Sequence, residues 1–64
     1  MDKAQNILVI KTVSGMAMAV AAAVDALEME EIVGSIAGDD TIMVAVRTVE
    51  DTQIIMDKIA EMLK

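Results

Sequence analysis

Sixty-four residues with 5 Lys and Arg against 11 Asp and Glu, a formal charge of −6, allow one domain over residues 1–64, near the size where a lone core is marginal. The acidic balance, with no basic cluster and no aromatic ring to stack on bases, speaks against nucleic-acid binding, which depends on cations at phosphates. Phe, Tyr, Trp, His, Cys and Pro are all absent, so disulfides and His/Cys zinc sites are excluded, and so are the Ser/His/Asp and Cys/His sets of nucleophilic catalysis.

In chain order, residues 1–5 read as a short polar tail. Residues 6–13 are short and β-branched and predict a strand, with Ile7 and Val9 facing one side and Leu8 and Ile10 the other. Ser14-Gly15 breaks that strand, with Ser14 placed to cap a helix over residues 16–29 that is rich in alanine, the best helix former. Val20, Val24 and Leu27, with Ala17 beside them, predict its core stripe, and Ala19, Ala22, Ala23 and Ala26 keep the remaining surface small. Asp25 falls on a different line, Met18–Ala22–Asp25, at i, i+4, i+7. Glu28, Met29, Glu30 and Glu31 read as the exit from the helix.

A second strand is expected over residues 32–37, with Ile32, Gly34 and Ile36 opposite Val33, Ser35 and Ala37. Gly38-Asp39-Asp40 is a turn by residue type. Residues 41–47 form the third strand, with Ile42, Val44 and Val46 on one face and Met43 and Ala45 on the other. Thr48-Val49-Glu50-Asp51 resembles a capping box, with Thr48 as N-cap and acids near the positive end of the helix dipole. The helix that follows carries an Ile55, Ile59, Met62 stripe widened by Met56 and Leu63, with Lys58 and Lys64 in its second half.

The predicted fold is therefore α+β: a two-layer α/β sandwich in the order β-α-β-β-α, with two helices on one face of an antiparallel-rich sheet. The second sheet face is not polar, whichever side the helices take. With 56% of residues hydrophobic, that face is expected to pack on further copies of the chain. The longest apolar run, residues 16–24, is nine residues, against about 20 needed to span a bilayer, and the first residues carry no secretory signal. A soluble, cytoplasmic homo-oligomer without membrane contact is the expectation. The missing residue types fit natural bias and a restricted design alphabet alike.

Asp39 and Asp40 admit three readings. They can be turn residues that add solubility, a pair that receives a guanidinium or ammonium group, or ligands of a divalent cation, which needs more oxygens than this hairpin supplies. Asp25 is either an ordinary exposed acid or a third carboxylate for the same cationic ligand. The seven methionines read as core filler in the absence of aromatics. Neither a metal nor another cofactor is expected, and no catalytic residues are assigned: the chain is read as a non-enzyme.

"NILVIKTVSGMA", Asp25, and "EEIVGSIAGDDTIMVAVRTVED" together resemble the C-terminal domain of the bacterial arginine repressor family (ArgR/AhrC), over almost the whole chain. The most specific string, "GSIAGDDTI", is similar to the family's Gly-Thr-Ile-x-Gly-Asp-Asp-Thr pattern. The resemblance implies a DCoH-like α/β domain that forms trimers and then hexamers, with L-arginine bound between trimers as effector. It assigns Asp39 and Asp40 to the ligand, Asp25 as an assisting acid and Ala37 to the backbone segment lining the site.

Three departures bear on what carries over. Met18 stands where the family often has Gln or another polar residue, a lost hydrogen bond to a charged ligand of about 1.5–3 kcal/mol. The family's first strand and its DNA-binding winged helix-turn-helix are not found in the sequence read this way. The missing strand leaves an open sheet edge that could redirect assembly to a dimer. The alternative to an arginine-sensing, oligomerising module is a purely structural self-assembling domain, natural or engineered, that binds no ligand.

Overall fold

The computed structural model describes residues 1–63, so the expected placement of Lys64 lies outside the described residues. Six elements follow one another: β1 (Asp2–Ala4), β2 (Ile7–Lys11), α1 (Ala17–Asp25), β3 (Ile32–Ala37), β4 (Thr41–Val46) and α2 (Val49–Met62). The strands form one antiparallel sheet in the order β1-β2-β4-β3. Leu8, Ile10, Ile42, Val44 and Val46 point to one side of it and join Ala17, Ala21 and Val24 of α1 and Ile55 and Ile59 of α2 in a single buried cluster. The α+β class and two-layer arrangement are as the sequence implies.

Residues 1–5 are not a free tail. Asp2–Ala4 pairs with β2, Asp2 opposite Val9 and Ala4 opposite Ile7, so the three-stranded sheet expected from the sequence gains a fourth strand on the β2 side. This strand is stabilised by backbone pairing, since all three of its residues are exposed, and it carries no hydrophobic alternation to announce it. Its turn is Gln5-Asn6, with Gln5 at φ 56. That conformation costs a side-chain-bearing residue about 1–2 kcal/mol, part of which glycine gives back in unfolded-chain entropy. Gln5→Gly is expected to stabilise the chain by about 0.5–1 kcal/mol and to raise the thermal midpoint by a few degrees in a calorimetric or circular-dichroism melt.

Helix α1 is shorter than expected, ending at Asp25, and Ser14 does not cap it. Met16 is the N-cap, without a side-chain hydrogen bond, and Ala26 the C-cap. The helix stops because Glu28 adopts a left-handed conformation at φ 49, with turn hydrogen bonds from Leu27 N–H to the Val24 carbonyl and from Glu28 N–H to the Asp25 carbonyl. Its buried stripe is Ala17, Ala21 and Val24, whereas Val20 is half-buried and Leu27 is exposed. The helix lies on the sheet through its two smallest inward side chains, which bring its axis close, and the longer ones flank the contact.

Helix α2 begins as the sequence implies: the Thr48 hydroxyl accepts a hydrogen bond from Asp51 N–H at 3.0 Å, with Glu50 and Asp51 in the first turn. Ile55 and Ile59 are fully buried, Met56 and Met62 half-buried, and Leu63 exposed. Thr52, one turn before Ile55, is also fully buried; its hydroxyl donates to the Thr48 carbonyl at 2.9 Å.

Strand β3 departs from simple alternation. A register shift between Ile32 and Gly34 places Ile32 opposite Val46 and Gly34 opposite Ala45. Val33 is the extra residue, so Ile32 turns toward the core instead of sharing a face with Gly34 and Ile36. The sheet face away from the helices then presents Ile7, Val9, Val33, Ile36, Met43 and Ala45. Val33, Ile36 and Met43 are 61%, 77% and 52% exposed. Between β2, β4 and β3 this face forms an open apolar groove.

Candidate functional site

The β3–β4 hairpin is closed by a hydrogen bond from Gly38 N–H to the Thr41 carbonyl at 2.8 Å, leaving Asp39 and Asp40 at its tip. The tip is anchored to the segment between β2 and α1. Thr12 N–H donates to the Asp40 carbonyl at 2.7 Å, extending the β2–β4 pairing by one bond. Gly15 N–H and Ala17 N–H both donate to the Asp39 carbonyl, at 3.1 and 3.2 Å, so the hairpin supplies the acceptor for donors that a helix start leaves over. Gly15 itself sits at φ +81, which lets the chain turn into α1.

The two carboxylates have different surroundings. Asp39 is exposed and its Oδ2 accepts from the Ser14 hydroxyl at 3.0 Å. This is the role Ser14 plays in place of capping α1. Asp40 is half-buried; its Oδ1 accepts from the Thr41 hydroxyl at 2.9 Å and its Oδ2 lies 3.7 Å from Lys11 Nζ. Lys11 reaches this point because β2 and β4 are in register with Lys11 opposite Thr41. An ion pair this exposed contributes little to stability, of the order of 0–1 kcal/mol.

Ala37 is half-buried, paired with Ile42 and packed on the core, one residue before the turn. Its contribution to anything bound at the tip is confined to the backbone. Asp25 is exposed at the last residue of α1, whose first residue is the one tied to Asp39, so the helix places Asp25 about 12 Å along its axis from the hairpin tip. Within one chain the structure brings Asp39, Asp40 and Ala37 together and leaves Asp25 apart, beside a shallow hollow with Val24, Glu28, Met29, Ile32, Val33 and Gly34. Met18 points outward, 73% exposed.

Sequence reading assigned no role to Lys11 or Thr41, which complete the surroundings of Asp40. The signal for Lys11 was its place at the end of β2, but naming its partner needed the β2–β4 register. Among the described residues, no group of three or more Asp and Glu comes together in a way that could hold a metal ion. Nor is any helix among them long and apolar enough to cross a membrane. Chemically, the tip is one exposed and one half-buried carboxylate on a fixed backbone, suited to charge-assisted hydrogen bonds with a planar or tetrahedral cation.

A family described as the arginine repressor C-terminal domain matches residues 1–61. Arginine repressors are also among the similar curated proteins. One from Lachnospira eligens is 73% identical over 64 residues, covering 100% of this chain and 42% of that protein. Another, from Lachnoclostridium phytofermentans, is 67% identical over 63 residues, 98% of this chain and 41% of its own length. A third, from Bacillus pumilus, is 48% identical over 63 residues, 98% of this chain and 42% of its own. The chain thus spans about two-fifths of the curated relatives it matches.

Proposed function

The chain belongs to the arginine repressor C-terminal domain family, a family of transcription regulators and not of enzymes, and on that footing we propose that it is the oligomerising, L-arginine-sensing module of a cytoplasmic repressor. The observation that carries the proposal is the Asp39–Asp40 pair, held on a hairpin tip by backbone bonds from Thr12, Gly15 and Ala17, with Asp39 exposed and Asp40 half-buried. A guanidinium or ammonium group is the natural complement of two neighbouring carboxylates. The separation of Asp25 from the tip supports a shared site, in which one copy supplies Asp39 and Asp40 and another supplies Asp25. The apolar outer face of the sheet supports the same assembly, since a face with Val33, Ile36 and Met43 more than half exposed is covered when copies pack together.

In this proposal arginine and self-association are thermodynamically linked, because a ligand held between copies stabilises the assembled state. DNA recognition is left to parts of a repressor other than this acidic surface, whose formal charge is −6.

A second reading, a self-assembling domain without a ligand, is favoured by one observation: Asp39 and Asp40 already have partners in Ser14, Thr41 and Lys11. Calorimetric titration with L-arginine separates the two. The wild-type chain is expected to give binding heat and a raised thermal midpoint, and Asp40→Asn to weaken binding tenfold or more, since one charge-assisted bond is worth about 1.5–3 kcal/mol. Neither heat nor thermal shift from the wild-type chain would leave only the structural domain.

A further inference from the structure

We propose that Lys11 is a built-in competitor for the acidic hairpin tip, a specificity- and affinity-setting residue that holds Asp40 when no ligand is present and must share or release it when a cation binds. The inference rests on the arginine-binding proposal above and names a residue that sets how strongly that site binds. Three observations lead to it. Both oxygens of the Asp40 carboxylate have partners, Oδ1 the Thr41 hydroxyl at 2.9 Å and Oδ2 the Lys11 ammonium at 3.7 Å. The backbone fixes this arrangement: Lys11 lies opposite Thr41 across the β2–β4 ladder, and Thr12 N–H is bonded to the Asp40 carbonyl at 2.7 Å. The pair is nevertheless loose, since the two side chains are 66% and 50% exposed and 3.7 Å is longer than a direct charge-assisted hydrogen bond.

The consequence is electrostatic. With Lys11 beside it, the tip presents a net charge nearer −1 than −2, and an incoming guanidinium meets a like charge a few ångströms away. At the high effective dielectric of such an exposed site, one unit charge at that range changes the affinity for a monovalent cation by roughly three- to tenfold. Lys11 thereby weakens binding of every cation in proportion to its charge, and it makes the tip selective for ligands whose geometry holds both Asp39 and Asp40. A cation that reaches only one carboxylate gains too little to displace the ammonium.

The test is calorimetric titration of the full 64-residue chain and its Lys11→Gln variant with L-arginine and with agmatine, which keeps the guanidinium and lacks the carboxylate, at low and at moderate salt. Lys3→Gln, which removes an equal charge from β1 far from the tip, is the control. Lys11→Gln is expected to bind arginine about three- to tenfold more tightly than wild type and the dication agmatine by a larger factor, both gains shrinking as salt rises, with Lys3→Gln close to wild type. Gain of binding in Lys11→Gln where wild type shows none is the same result in stronger form. If wild type binds arginine and Lys11→Gln binds it equally or more weakly, Lys11 is not a competitor; weaker binding of arginine alone, with agmatine unaffected, would make it a carboxylate partner instead. If neither chain binds either ligand, the arginine-binding proposal itself is overturned, and the competitor role goes with it.

Discussion

Ile36→Asp is expected to convert the assembled chain into a folded monomer. Among the described residues Ile36 is the most exposed large apolar side chain at 77%, and it stands on the edge strand β3 opposite Met43, on the sheet face that the helices do not cover. In the isolated chain that position is wet, so a carboxylate there costs little and the far-ultraviolet circular dichroism should be unchanged. Between packed copies the same carboxylate would be stripped of water without a partner, at a cost of several kcal/mol per copy. The self-association constant should therefore fall by a hundredfold or more, as measured by sedimentation equilibrium. The bulge at Val33 adds to the case, since it turns Val33 outward and so enlarges the apolar surface beside Ile36. An unchanged mass for Ile36→Asp would mean that copies meet elsewhere.

Ile55→Ala is expected to destabilise the fold more than any substitution on its surface. Ile55 is fully buried on α2, with Ile59 one turn on and β-strand residues of the same cluster beneath them. Removing its outer carbons leaves a cavity that a core this small has few ways to close, and such truncations cost about 2–5 kcal/mol. A 64-residue domain has roughly 3–10 kcal/mol in total, so a large fraction of the isolated fold's stability is lost. Ile54→Ala, at a neighbouring position that is 48% exposed, should cost far less. Urea unfolding of the two variants side by side measures the difference as a displaced midpoint.

Both predictions draw on parts of the structure that the sequence disclosed unequally. Strands β3 and β4, the acidic turn between them and the capped start of α2 were legible because each has a local cause: short runs rich in β-branched residues, Gly-Asp-Asp, and a Thr three residues ahead of an acid, whereas the bulge that turns Ile32 inward left no such signal. Strand β1 was not legible, because Asp2, Lys3 and Ala4 are held by backbone pairing to β2 and none of their side chains is buried. The end of α1 was hidden for a related reason. Neither Gly nor Pro marks the stop; Glu28 takes the left-handed conformation that glycine usually supplies. Of the stripe expected on α1, Ala17 and Val24 are buried and Val20 is half-buried against the core, but size suggested Leu27, which is exposed, while packing on the sheet selects Ala21. At the candidate site the sequence put Asp39, Asp40 and Ala37 within a few residues of one another, but only the fold reveals that Asp25 stands at the far end of α1 and that Lys11 reaches Asp40.

The proposal on which the account rests is that other copies of this chain cover the apolar sheet face of each copy. The most direct test is the mass of the 64-residue chain in solution at micromolar concentration, by sedimentation equilibrium with and without L-arginine. A reversible oligomer, shifted toward higher mass by arginine, is the predicted result. A dispersed monomer at every concentration, with or without the ligand, would contradict it.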